Sequence, residues 1–329
     1  MIYDCFTFFN ELDLLEIRLN VLKDVVDKFV LVEADRTFTN RSKRLFFEEN
    51  KPRFASFASR IIHVKVTDHP PFKTAWHYES HQRNAIARGL VGAKPDDVIL
   101  ISDVDEIPDP AAVRQYAGRR GMVVFNQIYY AYYLNFRNVR RRRWEFAKMV
   151  SYADFLHGFD DVEVMHNEHL PEEVNVGTTA SKIRMRALPR SRGGVTVVRR
   201  GGWHFTSLGG ASALAEKMRS FSHQEYNPGE DNISETRLKE LIDKGAGPFW
   251  KMNCFADRID ARLPRYICDN QARYSHLIFE VTPEYEKGVR MRRLLRTLQG
   301  VWIQFAETLC PPGLHNWLHL IKMRFLRVS

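Results

Sequence analysis

Four short apolar runs, Ile2–Phe8, Lys28–Glu33, Ile61–Val66 and Val98–Ile101, alternate with stretches of helical spacing, and this alternation most restricts the fold. Runs of this length that stay apolar on consecutive residues suit strands covered on both faces. After the first run, NELDLLEIRLNVLKDVV repeats Leu and Ile at helical intervals; before the last, TAWHYESHQRNAIARGL does so again and ends in Gly89, placed where a helix C-cap is expected. The order predicts an α/β domain, a mostly parallel Rossmann-like sheet flanked by helices. In such sheets ligands collect outside the carboxyl ends of the strands.

The fourth run leads straight into ISDVDEIPDP, which concentrates Asp103, Asp105, Glu106 and Asp109 at a strand end. Asp109 followed by Pro110 has the form of an N-cap and first helical residue. Asp103 and Asp105 are left over, and carboxylates at the mouth of a buried strand are costly unless paired or metal-bound. A D-x-D pair can hold Mg²⁺ or Mn²⁺, which take oxygen ligands and share them with substrate phosphates. Roughly one D-x-D is expected by chance in a chain this long, so the position after the strand carries the weight. Glu106 is either a partner of the pair or a solvated charge. The same rim receives Asn10 and Glu11 after the first strand, Glu33 to Thr37 after the second and Thr67 to His69 after the third. On the helix WHYESHQRN, Trp76, Glu79 and Arg83 share a face, with Asn84 beside Arg83. That face is either a surface ion pair or an arginine turned to a ligand.

Beyond residue 120 the pattern is looser. GMVVFNQIYYAYYLNF is aromatic and strand-like, the Arg140–Arg143 run reads as a basic loop, and VVRRGGWHF is a strand breaking at a glycine pair. His204 in that block suits either a packed core or a metal. Residues 211–243 have helical periodicity, and HNWLHLIKMRFLRVS at the C-terminus mixes aromatic, apolar and basic residues, so 314–327 is a candidate interfacial helix for anionic membranes. A hydrophobic fraction of 44% excludes a disordered chain, and the net charge of +9 favours anionic partners without choosing among them. Cys5, Cys254, Cys268 and Cys310 have neither disulfide nor zinc spacing. The N-terminus lacks a signal-peptide pattern and no window is long enough to span a bilayer, which together suggest a cytoplasmic protein.

Taken in order, YDCFTFFNELDLLEIRLNVL, VDKFVLVEADRTFTN, IIHVKV, ESHQRN, DDVILISDVDEIPDP and GGWHF resemble glycosyltransferase family 17, from about Ile2 to His204. The family's animal members are β-1,4-mannosyl-glycoprotein N-acetylglucosaminyltransferases; the unmatched segment from Trp144 to Val195 fits a bacterial or viral member with a different acceptor. The resemblance implies a GT-A type fold, inverting transfer from a UDP-sugar, UDP-GlcNAc foremost, to a glycan hydroxyl with a β linkage, and dependence on Mn²⁺ or Mg²⁺. It implies Asp103, Asp105 and His204 as the metal site. Asn10, Glu11, Glu33, Arg36, Arg83, Asn84 and Trp203 fall in shared blocks as donor-binding candidates. An inverting transfer also needs a base for the acceptor hydroxyl; Asp160, Asp161, Glu163, Glu168 and Glu225 are the candidates, with Glu168 and Glu225 preferred because each lies near a histidine.

The expected organisation is a catalytic domain over 1–210, divided near residue 110 into donor and acceptor halves, a helical completion over 211–290 and a basic tail over 291–329. Two other functions compete. A haloacid-dehalogenase-type phosphatase also places D-x-D after a strand, but Ile107 stands where its threonine belongs. A non-catalytic module could stack bases on YYAYYLNF beside the arginines, although strand-core aromatics explain that run equally and no nucleic-acid partner is expected.

Overall fold

In the computed structural model, the described residues are 1–139, 144–159, 179–185, 194–224, 229, 233–248 and 252–289. Strands β1 (Ile2–Phe8), β2 (Lys28–Ala34), β3 (Ile61–Val66) and β4 (Val98–Asp103) pair in parallel in the order β3-β2-β1-β4. The four apolar runs are these strands. Their consecutive residues feed two separate cores: Phe6, Leu31 and Leu100 on one face, Cys5, Val30, Val32, Ile99 and Ile101 on the other. Burial on both sides is why the runs are continuous rather than alternating.

Helix α1 (Leu12–Leu22) covers the first face with Leu14, Leu15, Ile17, Leu19 and Leu22. A short α2 (Phe46–Asn50) follows β2, and α3 (Ala75–Asn84) precedes a 3₁₀ turn over Ala85–Gly89 on the second face. Thr74 caps α3 by accepting from the His77 amide. Gly89 does not act as the expected left-handed C-cap; Leu90 follows the turn, and a Cβ on Gly89 would stand 2.4 Å from Val30 Cγ1. Close approach of the turn to β2 therefore excludes a side chain here.

After β5 (Glu106–Pro108), helix α4 (Pro110–Tyr116) starts as expected, with Asp109 accepting from the amides of Ala111 and Ala112. The remaining strands are β6 (Met122–Ala131), β7 (Phe136–Asn138), β8 (Lys148–Ser151), β9 (Val195–Thr206) and β10 (Cys254–Ala256). They extend the sheet past β4 as β8-β6-β7-β10, antiparallel throughout, while β9 runs parallel to β6 and antiparallel to β5. Parallel pairing is thus concentrated in β1–β4, where helical crossovers permit it. Helices α5 (Tyr152–His157), α6 (Ala180–Met185), α7 (Gly210–Ser220), α8 (Glu235–Asp243) and α9 (Arg265–Asp269) complete a mixed α/β structure, a large central sheet flanked by helices.

Met1–Phe279 forms one compact unit that includes α7, α8, β10 and α9, and Glu280–Ser329 a second. Among the described residues, no helix is long and apolar enough to cross a membrane. The Arg140–Arg143 run, the 291–329 tail and its 314–327 segment lie outside the described residues.

Candidate active site

The carboxyl ends of β1, β2 and β4 open into a cleft of about 490 Å³, closed on the far side by residues from β6, β9, α6 and α7. Asp103, the last residue of β4, is its central acid. Arg83 Nη1 donates to Oδ1 at 2.6 Å, Thr7 Oγ1 donates to the same oxygen at 3.1 Å, and Arg184 Nη2 donates to Oδ2 at 2.6 Å. Burial alone would raise the Asp103 carboxyl, but the two guanidiniums outweigh it and hold the group well below the usual carboxylate range.

Asp105 lies two residues on, with Oδ2 3.4 Å from His204 Nε2 and 3.5 Å from Lys217 Nζ. Burial raises its carboxyl and these two neighbours more than reverse the shift. The sheet register brings His204 here: β5 and β9 pair Glu106 with His204, and β6 and β9 pair Tyr129 with His204. Gly202 makes this pairing possible, since it has φ of +136° and a Cβ on it would lie 2.2 Å from the Ile107 carbonyl oxygen. The imidazole stacks on Trp144 at 4.2 Å between centroids, and its buried Nδ1 has no hydrogen-bond partner among the described residues.

Glu106 is not a solvated charge. It is fully buried, accepts from both terminal nitrogens of Arg184, from Trp144 Nε1 and from the Asp103 amide. The turn carrying these acids is held from beneath by Arg18 of α1, which is itself fully buried. Arg18 makes a two-point contact with Asp4 at 2.8 and 2.6 Å, donates to Ser102 Oγ at 2.6 Å, and also donates to the carbonyls of Asp103, Val104 and Glu106.

A divalent cation can be tested against these groups directly. Asp105, Glu106 and His204 bring one ligand atom each within 4.8 Å of one another. Carboxylate with imidazole is a donor set that Mn²⁺ accepts, and His204 turns Nε2 toward Asp105 Oδ2. The oxygens of Glu106 are already committed to Arg184 and Trp144, so Asp105 and His204 are the fitting pair.

Of the donor-binding candidates, Glu11, Arg36 and Arg83 line the cleft. Glu11 Oε2 accepts from the amides of Phe9 and Asn10 at 3.2 and 3.0 Å, and burial, reinforced by the Asp105 charge, raises its carboxyl. Four others do not line it. The Asn10 side chain is exposed at the rim. Glu33 is turned to the β3 side, where it accepts from the Phe47 amide at 2.9 Å and pairs with His63 at 3.0 Å. Asn84 accepts from the Ser181 amide at 2.9 Å and so anchors the start of α6. Trp203 precedes His204 on a strand and faces the opposite side, within the core, donating to the Arg262 carbonyl at 2.6 Å. Asp160, Asp161, Glu163, Glu168 and Glu225 lie outside the described residues.

Sequence reasoning missed Arg184, Lys217, Tyr129 and Trp144 as cleft residues, and Arg18 beneath it. Arg18 left a readable signal, a charge in the middle of the buried Leu14–Arg18–Leu22 stripe. Arg184 left none, because its short helix stands in a segment without periodicity.

Comparison with known proteins finds relatives for the first part of the chain. Residues 1–153 match the model of glycosyltransferase family 17. Over that segment, a little under half of its length, the chain is similar to glycosyltransferase family 17. The human β-1,4-mannosyl-glycoprotein 4-β-N-acetylglucosaminyltransferase is 32% identical over 107 residues, 30% of this chain and 20% of that protein. The rat protein of the same name matches to the same extent. The aligned stretch is thus about a fifth of these relatives' length. A solved structure, the crystal structure of S. aureus TarS 1-349, superposes with a TM-score of 0.36 at 12% identity, covering 73% of this chain and 72% of that one; a likeness at that level adds nothing to the family match.

Proposed function

We propose that this chain is a metal-dependent, inverting glycosyltransferase of GT-A type that moves a sugar from a UDP-sugar, UDP-GlcNAc foremost, to a glycan hydroxyl. The observation that carries the reading is the meeting of Asp103, Asp105 and His204 with Arg83, Arg184 and Lys217 around one cleft. A nucleotide diphosphate needs both a cation site and fixed positive charge, and the cleft walls offer both kinds of group.

Asp105 and His204 would hold Mn²⁺ or Mg²⁺, which supplies charge neutralisation for a departing diphosphate. Arg83 and Arg184 present planar forks of N–H donors that suit phosphate oxygens, and their preset positions stabilise negative charge as it develops. Glu11 and Arg36 stand at the β1 and β2 ends of the same cleft, where the nucleoside side of the donor would lie. For the base that takes the acceptor proton, Glu168 and Glu225 remain candidates from the sequence. Glu11 joins them, because its raised carboxyl brings its proton affinity closer to neutrality. A phosphatase of the haloacid-dehalogenase type would carry a threonine two residues after Asp105, where this chain has the fully buried Ile107.

The test is a panel of UDP-GlcNAc, UDP-GalNAc, UDP-Glc and UDP-Gal with and without Mn²⁺, read as thermal shift and UDP release. One donor is expected to stabilise the protein only with metal. Asp105→Asn should remove that stabilisation and lower UDP release by about 100-fold or more, the loss of a few kcal/mol of charge stabilisation. Equal metal-dependent stabilisation of both proteins would overturn the assignment of Asp105.

A further inference from the structure

Charged side chains alternate across the cleft as Glu79–Arg83–Asp103–Arg184–Glu106. Arg83 Nη2 donates to Glu79 at 2.8 Å and its Nη1 to Asp103 at 2.6 Å; Arg184 donates to Asp103 at 2.6 Å and forks onto Glu106. Each arginine thus owns a terminal acid and shares the middle one. The members differ in exposure. The Asp103 side chain is 30% exposed, against 14% for Glu79, 6% for Arg184, 3% for Arg83 and none for Glu106.

The arrangement decides which link can open. Withdrawal of Glu106 or Glu79 would leave its arginine with half of its countercharge, and for Glu106 would strand a buried carboxylate, which is costly. Withdrawal of Asp103 leaves both guanidiniums still paired. It also turns two N–H groups, one from each arginine, toward the cleft, where two oxygens of one anion can take them. Asp105 and His204, the fitting cation pair, stand in and opposite the same turn.

Resting on the donor-site reading above, we propose that Asp103 is an exchangeable link: with a divalent cation and a nucleoside diphosphate bound, its carboxylate leaves Arg83 and Arg184 for the cation, and diphosphate oxygens replace it on the two guanidiniums. Cation and diphosphate then bind synergistically, since each occupies what the other's arrival releases. Arg184 holds Asp103 back until both are present.

The experiment is calorimetric titration of the full chain with Mn²⁺ alone, UDP alone and each in the presence of the other. In the wild type, each ligand should tighten the other by about tenfold or more. Arg184→Met should bind Mn²⁺ alone more tightly than the wild type, by roughly threefold or more, while the UDP-induced tightening shrinks by a similar factor. Arg184→Lys keeps the countercharge of Glu106 but cannot bridge both acids, and it should shift both quantities in the same directions, which covers a Met variant that fails to fold. Independent binding of Mn²⁺ and UDP to the wild type, or no gain in Mn²⁺ affinity in either variant, overturns the exchange and leaves the donor-site reading intact. Failure of the wild type to bind UDP and Mn²⁺ in any combination overturns both.

Discussion

The parallel part of the sheet, β1 to β4 with α3, brings both acids and cations to the cleft, and the later elements around β6, β8, β9, α6 and α7 bring, among the described residues, cations and an imidazole without an acid. The acids Glu11, Glu79, Asp103 and Asp105 precede residue 110 together with Arg36, Lys43 and Arg83, whereas Arg184, Lys217 and the His204 imidazole come from the later elements. The two regions also use buried cations differently. Arg18, in the first, binds three backbone carbonyls and so fixes the course of the chain; Arg184, in the second, donates to carboxylates and lies over the Phe146 ring, and so fixes side chains. A backbone held by its carbonyls has no alternative partners, while a carboxylate can change cation. The first region is accordingly a frame and the second a set of adjustable countercharges.

That contrast can be broken most severely at Arg18. Arg18→Met leaves Asp4 buried without its cation and three carbonyls without a donor, and a loss of about 3–5 kcal/mol is expected in urea unfolding. A loss below about 1 kcal/mol would mean that the turn holds its shape unaided. Lys148 of β8 probes the other region. It is buried between Glu145 and the Phe146 ring, donates to the Glu145 carbonyl, and burial, with the Arg184 charge nearby, lowers its ammonium to about 7. Below that pH the folded protein carries a buried charge. Between about 7 and 10.5 the unfolded chain binds a proton that the folded one does not, so stability rises with pH across that window. Lys148→Met should therefore gain most over the wild type near pH 6, and the gap should narrow by about 2–3 kcal/mol by pH 9. A gap independent of pH would show that Lys148 keeps an ordinary ammonium. The smallest effect is expected at Gly89→Ala, where contact with Val30 should cost about 1–3 kcal/mol in thermal unfolding while UDP binding stays unchanged. An unchanged melting temperature would show that the turn can move off β2.

The same division explains what the sequence disclosed. Strands β1 to β4 are local patterns, each an apolar run that must be buried on both faces, and the acids follow directly at their ends. Asp109 was readable as a cap because capping is settled within three residues. The later cleft groups are brought in by register and packing across long separations: His204 by its pairing with Glu106, Arg184 by a six-residue helix whose first turn is tied to Asn84. No window of sequence contains such a relation. Trp203 shows the limit most sharply, since a shared block of sequence includes it with His204 and strand geometry sends the two to opposite faces.

Because His204 reaches the cleft through strand alternation, the ring presented there is written as a parity. A one-residue slip of β9 against β5 would deliver an indole where the imidazole belongs. Gly202, whose position admits no side chain beside the Ile107 carbonyl, opposes a slip in the other direction, because Trp203 would then have to fit that place. Gly202 therefore guards the register in one direction only, and packing of Trp203 in the core opposes the other.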